Sequence, residues 1–164
     1  YSIHITYIIK EKKINFIINV VNIGEDTMPF GIGWHPYFIT KSKQNTKIKL
    51  NPSKKYITNK RQVPIDYTKN NSIIEIEIGD NKYDDCYLLS SDNILIITGD
   101  YQLKMKFVNG NDNNYLHIYT PLEKNSIAIE PLTCTANVFN NKNGIKYLKS
   151  KEEYKWEVEL EMLQ

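Results

Sequence analysis

Only one of the 21 basic residues is an arginine, Arg61. Guanidinium forks are the usual means of reading base edges and of clamping phosphates bidentately. With no basic block or stripe either, nucleic-acid binding is not expected. Cysteine is scarce too. Cys86 and Cys134 stand 48 positions apart with no metal-ligand spacing around them, so no metal site is expected and both read as free thiols buried in strands. No apolar run approaches the roughly 20 residues of a membrane span. No helical period, linker or internal repeat is visible, and the 164 residues are expected to form a single domain. A secretory leader is also lacking, and a cytoplasmic setting is the expectation. The sequence nonetheless starts at Tyr1 in what reads as mid-strand, as though upstream residues had been lost.

What is present is alternation. Tyr1, Ile3, Ile5, Tyr7 and Ile9 interleave with Ser2, His4, Thr6 and Lys10, which predicts a half-buried strand with His4 in solvent. A second strand is expected over 14–21, apolar on both faces near its end and therefore buried. Further strands are expected over 46–50, 74–78, 86–89, 94–98, 103–108, 115–120, 126–130 and 156–162. Residues 51–71 hold two prolines and several turn formers, and read as a long irregular loop of the kind that often carries function. Asn109-Gly110 is a hairpin signal, residues 121–125 read as a strand connection, and 139–144 as a turn. About ten strands at short spacing predict an all-β antiparallel sandwich.

Three stretches stand out from this background. In Pro29-Phe30-Gly31-Ile32-Gly33-Trp34-His35-Pro36-Tyr37-Phe38, aromatics, glycines and prolines surround one histidine. Pro36 biases His35 to an extended backbone, at a strand or strand end. The two glycines permit close approach or mark a bulge. In Tyr83-Asp84-Asp85-Cys86-Tyr87, adjacent carboxylates enter an apolar strand and must point to opposite faces. In Ile127-Ala128-Ile129-Glu130-Pro131-Leu132-Thr133, Glu130 ends an apolar run and is held extended by Pro131. A carboxylate inside such a run is unfavourable unless paired or functional. Each stretch also has a plainer reading: a core histidine on an edge strand, an aspartate satisfying backbone donors, a glutamate emerging into solvent.

Taken together and in this order, the three stretches resemble the aldose 1-epimerases, or galactose mutarotases. Gly33 to Phe38 is similar to that family's His-Pro-Tyr-Phe segment. Asp84, with Tyr87 three residues on, is similar to its substrate-binding aspartate, and Glu130-Pro131 to the segment of its catalytic base. Residues 143–156 resemble the closing hairpin. The resemblance covers nearly all of this chain but only about the C-terminal half of the family's domain. A second active-site histidine and a binding arginine from the other half have no counterpart here. His117 stands where the family often has a substrate-binding glutamine, so that it reads either as a ligand or as an outward-facing surface residue.

The resemblance implies a galactose mutarotase-like supersandwich, present in part, and interconversion of the α and β anomers of a hexose without metal, nucleotide or electron carrier. Glu130 is implied as the base on the anomeric hydroxyl and His35 as the acid on the ring oxygen, several ångströms apart so that a sugar fits between them. Asp84 and His117 are implied as substrate ligands. Trp34 offers an apolar face to the sugar or packs in the core. The competing readings are a non-catalytic sugar-binding β-domain, a hexose-6-phosphate mutarotase, and a module pairing through its sheet edges. Association with a missing N-terminal half, or self-association through those edges, is a further expectation.

Overall fold

The computed structural model describes residues 1–109, 113–122 and 125–163. Gly110 of the Asn109-Gly110 turn and the centre of the 121–125 connection lie outside them. The architecture is antiparallel β throughout, in two large sheets and one small one.

The seven-stranded sheet runs β1 (Ser2–Lys10), β2 (Lys13–Val21), β15 (Glu153–Met162), β11 (Gln102–Phe107), β10 (Asn93–Ile97), β5 (Lys47–Leu50), β8 (Ile74–Glu77). The six-stranded sheet runs β4 (Tyr37–Ile39), β13 (Ser126–Leu132), β12 (Tyr115–Tyr119), β9 (Asp84–Leu89), β6 (Pro52–Thr58), β7 (Pro64–Lys69). A third pair joins β3 (Met28–Phe30) to β14 (Lys146–Leu148). One continuous apolar core draws on both large sheets. Phe16, Ile48, Ile94, Phe107 and Val158 come from the first, and Leu116, Ile118, Ile127 and Ile129 from the second. This is the expected sandwich, with inner-facing residues alternating against outer ones.

Several expectations require correction. The 51–71 stretch is not an irregular loop but the hairpin β6–β7. Its prolines, Pro52 and Pro64, are each the first residue of a strand, a position where a missing N–H is tolerated. Among the described residues fifteen strands form rather than about ten: besides β6 and β7, β3, β4 and β14 have three residues each and take their extended form from pairing partners. The arms of the expected closing hairpin do not pair with each other: β14 joins β3, and β15 lies between β2 and β11. Residues 138–141 make one helical turn, α1 (Val138–Asn141). Cys134 lies past the end of β13 and is half-buried, whereas Cys86 is buried in β9; both are free thiols.

β1 forms as a strand but is not half-buried. Its odd-numbered row lies opposite Val20, Ile18, Phe16 and Ile14, in line with the core-facing row of β2. No strand of the second sheet covers it, and Ile3, Ile5, Tyr7 and Ile9 are 50%, 57%, 54% and 75% exposed. β2 itself is buried on one face only.

Candidate active site

Parity along three central strands separates two environments. On β9, β12 and β13, Tyr87, Leu116, Ile118, Ile127 and Ile129 point into the core. The alternate residues Asp84, His117, Tyr119 and Glu130 point to the outer face of the six-stranded sheet and line a cavity of about 500 Å³. That volume suits a small-molecule site, commonly about 300–1,000 Å³. The register makes the cluster: His117 sits directly opposite Glu130 on one side and Cys86 on the other, and Tyr119 opposite Asp84.

The wall of the cavity is the segment carrying His35. It crosses the end of β13 through a bridge between Gly33 and Leu132, with Trp34 N donating to Pro131 O at 3.1 Å and Thr133 N to Ile32 O at 2.9 Å. Pro131 has no N–H to offer on this side, so a segment that uses its carbonyl fits there. Contact is so close that a Cβ on Gly33 would overlap Leu132 Cδ2, and one on Gly31 would overlap Cys134 Sγ. Any larger residue at either position would have to displace the Leu132 or Cys134 side chain. Pro36 then leads into β4, the trans-peptide chain placing His35 two residues before the strand.

His35 Nε2 stands 3.1 Å from Glu130 Oε1. The imidazole is half exposed and lies over the Tyr37 ring at 4.9 Å, while the Glu130 side chain is only 11% exposed. The expected gap of several ångströms between them is therefore absent. His35 lies on a segment outside any strand, and its imidazole reaches the buried carboxylate. Burial pushes the Glu130 carboxyl above its ordinary value, and the charges of His117 and then His35 oppose that rise.

Asp84 and Asp85 diverge as adjacent strand residues must. Asp84 enters the cavity, where its Oδ1 lies 2.7 Å from His117 Nε2. Asp85 faces the other way and accepts from Lys55 Nζ at 2.8 Å. His117 is thus no surface residue, its side chain being 19% exposed. Trp34 does not line the cavity. Its indole stacks on Phe16, with centroids 4.5 Å apart, and joins the core.

Tyr119 and Gln62 are among the lining residues that the sequence did not single out. Tyr119 follows His117 by two positions and so shares its face, a period-two signal that was available. Gln62 comes from the β6–β7 turn, where Asn59 Oδ1 accepts from Arg61 N and Val63 N. Nothing in the sequence ties that turn to this site. Burial pushes the Cys86 thiol up to about 12, which keeps it protonated and unreactive. Among the described residues, no lysine or arginine lines the cavity, and no group of three or more His, Cys, Asp or Glu is arranged to hold a metal ion. A separate cavity of about 450 Å³, lined by Lys41, Lys43, Lys82 and Asp80 among others, holds no histidine among the described residues.

The family model for aldose 1-epimerase matches residues 1–161. The chain belongs to the aldose 1-epimerase family. Solved structures agree in fold. A galactose mutarotase-like protein from Clostridium acetobutylicum is 18% identical, with a TM-score of 0.82 over 98% of this chain and 55% of its own. A galactose mutarotase related enzyme from Lactobacillus acidophilus is 17% identical, with a TM-score of 0.76 over 99% and 61%. An aldose epimerase homologue from Caenorhabditis elegans is 10% identical, with a TM-score of 0.75 over 98% and 59%. The chain thus spans a little over half the length of the structures it matches. A search of curated proteins finds no sequence match. Among the described residues, no helix is long and apolar enough to cross a membrane.

Proposed function

We propose that this chain carries the acid–base centre of a hexose mutarotase. The observation that carries the reading is the His35–Glu130 pair, in contact at 3.1 Å at the wall of a cavity. An imidazolium beside a carboxylate is the charge state that anomer exchange requires at its start. Glu130 takes the proton of the anomeric hydroxyl as the ring C–O bond breaks, and His35 Nε2–H protonates the departing ring oxygen. The open-chain aldehyde turns about its bond to the next carbon. Reversal of the two transfers closes the ring on the other face and restores both groups, so no metal, nucleotide or electron carrier enters the balance. His35 must swing off Glu130 to admit the sugar, and its half-exposed position allows that. Asp84, with one oxygen held by His117, keeps the other for a sugar hydroxyl. The partner in this reading is a monosaccharide, a hexose.

The test is polarimetry of freshly dissolved α-glucose and α-galactose with and without the protein. Faster decay of rotation that is lost in Glu130→Gln supports the reading. Sugar binding without rate enhancement replaces it with a carbohydrate-binding domain.

A further inference from the structure

The site holds a second imidazole that the two-residue acid–base scheme does not use. We propose that His117, anchored by Asp84, is a positioning residue for Glu130: it holds positive charge against the carboxylate and keeps it ionised for catalysis. This rests on the mutarotase reading for its functional meaning, though not for its physical content.

The register carries the argument. Directly opposed residues of antiparallel strands hold their Cβ atoms about 4.5–5.5 Å apart. His117 and Glu130 are such a pair, on the same face of β12 and β13. The groups facing Glu130 come from every element around it: His117 on β12, Asp84 and Cys86 on β9, His35 on the glycine-rich wall, and Cys134 beyond β13. Of these only the two imidazoles can carry positive charge. His35 is half exposed, its side chain at 52%, whereas His117 at 19% is shielded, so its charge is less screened by water.

Asp84 fixes the ring. An ionised Asp84 can only accept, so the 2.7 Å contact makes His117 Nε2–H the donor and sets the orientation of the ring. The same bond argues against His117 as a plain sugar ligand, because the ring nitrogen that points into the cluster is already engaged. Burial pushes the Glu130 carboxyl up, His117 and then His35 draw it down, and Asp84 adds a smaller upward push.

The experiment compares wild type with His117→Gln, which keeps a donor for Asp84 but has no charge, and with Asp84→Asn, which loosens the anchor. Two quantities are read: the pH–rate profile of kcat for anomer exchange, and the midpoint of the Glu130 carboxyl followed by carbon-13 NMR with labelled glutamate. The expected result in His117→Gln is an acid limb and a Glu130 midpoint moved to higher pH, with the loss of kcat larger near about pH 5 than near about pH 8 and KM changed less than kcat. Asp84→Asn also removes a negative charge that itself raises Glu130 and a sugar ligand, so its midpoint should move up less and its KM should rise. The double variant should shift no further than His117→Gln alone. Thermal unfolding checks that each variant folds, and His117→Asn stands in if His117→Gln does not. A raised KM at every pH with limb and midpoint unmoved overturns the proposal and makes His117 a sugar ligand. A shifted Glu130 midpoint in a protein that exchanges no anomers upholds the coupling and discards the mutarotase reading instead.

Discussion

Strand β1 and the trio β9, β12 and β13 break the same rule in opposite directions. In β1 an apolar row that would be core in any ordinary strand stands in water. On the outer face of the trio, two carboxylates and two imidazoles gather where water is largely excluded from Glu130 and His117. Both show clean alternation. Alternation reports that a chain is extended and which residues share a face. It does not report what lies over that face, and the unusual cover in each case is what marks the region.

The comparison can be broken most sharply at Glu130. Glu130→Gln is expected to lower anomer exchange by about 10²–10⁴-fold, measured by polarimetry, because the amide cannot take the proton. The same variant should be more stable at neutral pH. The carboxyl is raised by burial above its ordinary 4.5, so folding favours the protonated form. The penalty of an ionised Glu130 is absent below its ordinary value and complete above the raised one. Melting temperatures of variant and wild type should therefore coincide near about pH 4 and separate, variant higher, as pH rises. A variant less stable at neutral pH would mean that the two histidines more than offset the burial.

Next in size is the core behind the site. Ile118→Ala, at a residue 0% exposed between His117 and Tyr119, is expected to cost about 2–5 kcal/mol in denaturant unfolding. Gly33→Ala should cost about 1 kcal/mol, since the new methyl meets Leu132 Cδ2 and forces that side chain, or the wall carrying His35, to shift. It should also reduce activity, and unchanged activity would show that the wall does not position His35. The smallest effect belongs to β1. Ile5→Lys, at a position 57% exposed, should change stability by no more than about 0.5 kcal/mol. Sedimentation should show less self-association, because a lysine on an open edge discourages strand addition. A large destabilisation there would mean that β1 is covered after all.

Much of the fold was legible because period-two patterning is strong wherever one face meets the core. β10, β11 and the even positions of β15 are examples. β6 and β7 were hidden by Pro52, Pro64 and interspersed lysines, which speak locally for turns although the pairing of two edge-ward strands overrides them. β3, β4 and β14 are too short to show a period. At the site, His35, Asp84 and Glu130 were expected together because their contexts resemble three segments of one family in the same order. The aromatic of Trp34 gave no clue to its partner, because its stacking on Phe16 depends on a strand far away in sequence. The direct contact of His35 with Glu130, and of His117 with Asp84, depends on register between strands, which a linear reading does not contain.

The opposition of core and cavity across a single sheet gives every residue of β9, β12 and β13 an address by parity. Ile129 and Glu130 are neighbours along the chain, yet one is sealed between sheets and the other faces the cavity. A slip of one residue in the pairing of β13 would exchange them, sending a carboxylate into the core and an isoleucine to the site. Misregistered chains are therefore strongly disfavoured, and the chemistry itself enforces correct assembly. In turn, the outward-facing positions form a panel that can be varied without touching the layer that holds the sandwich together. Changes of substrate preference within such a scaffold are open to single substitutions at alternate positions, while the intervening residues remain fixed by packing.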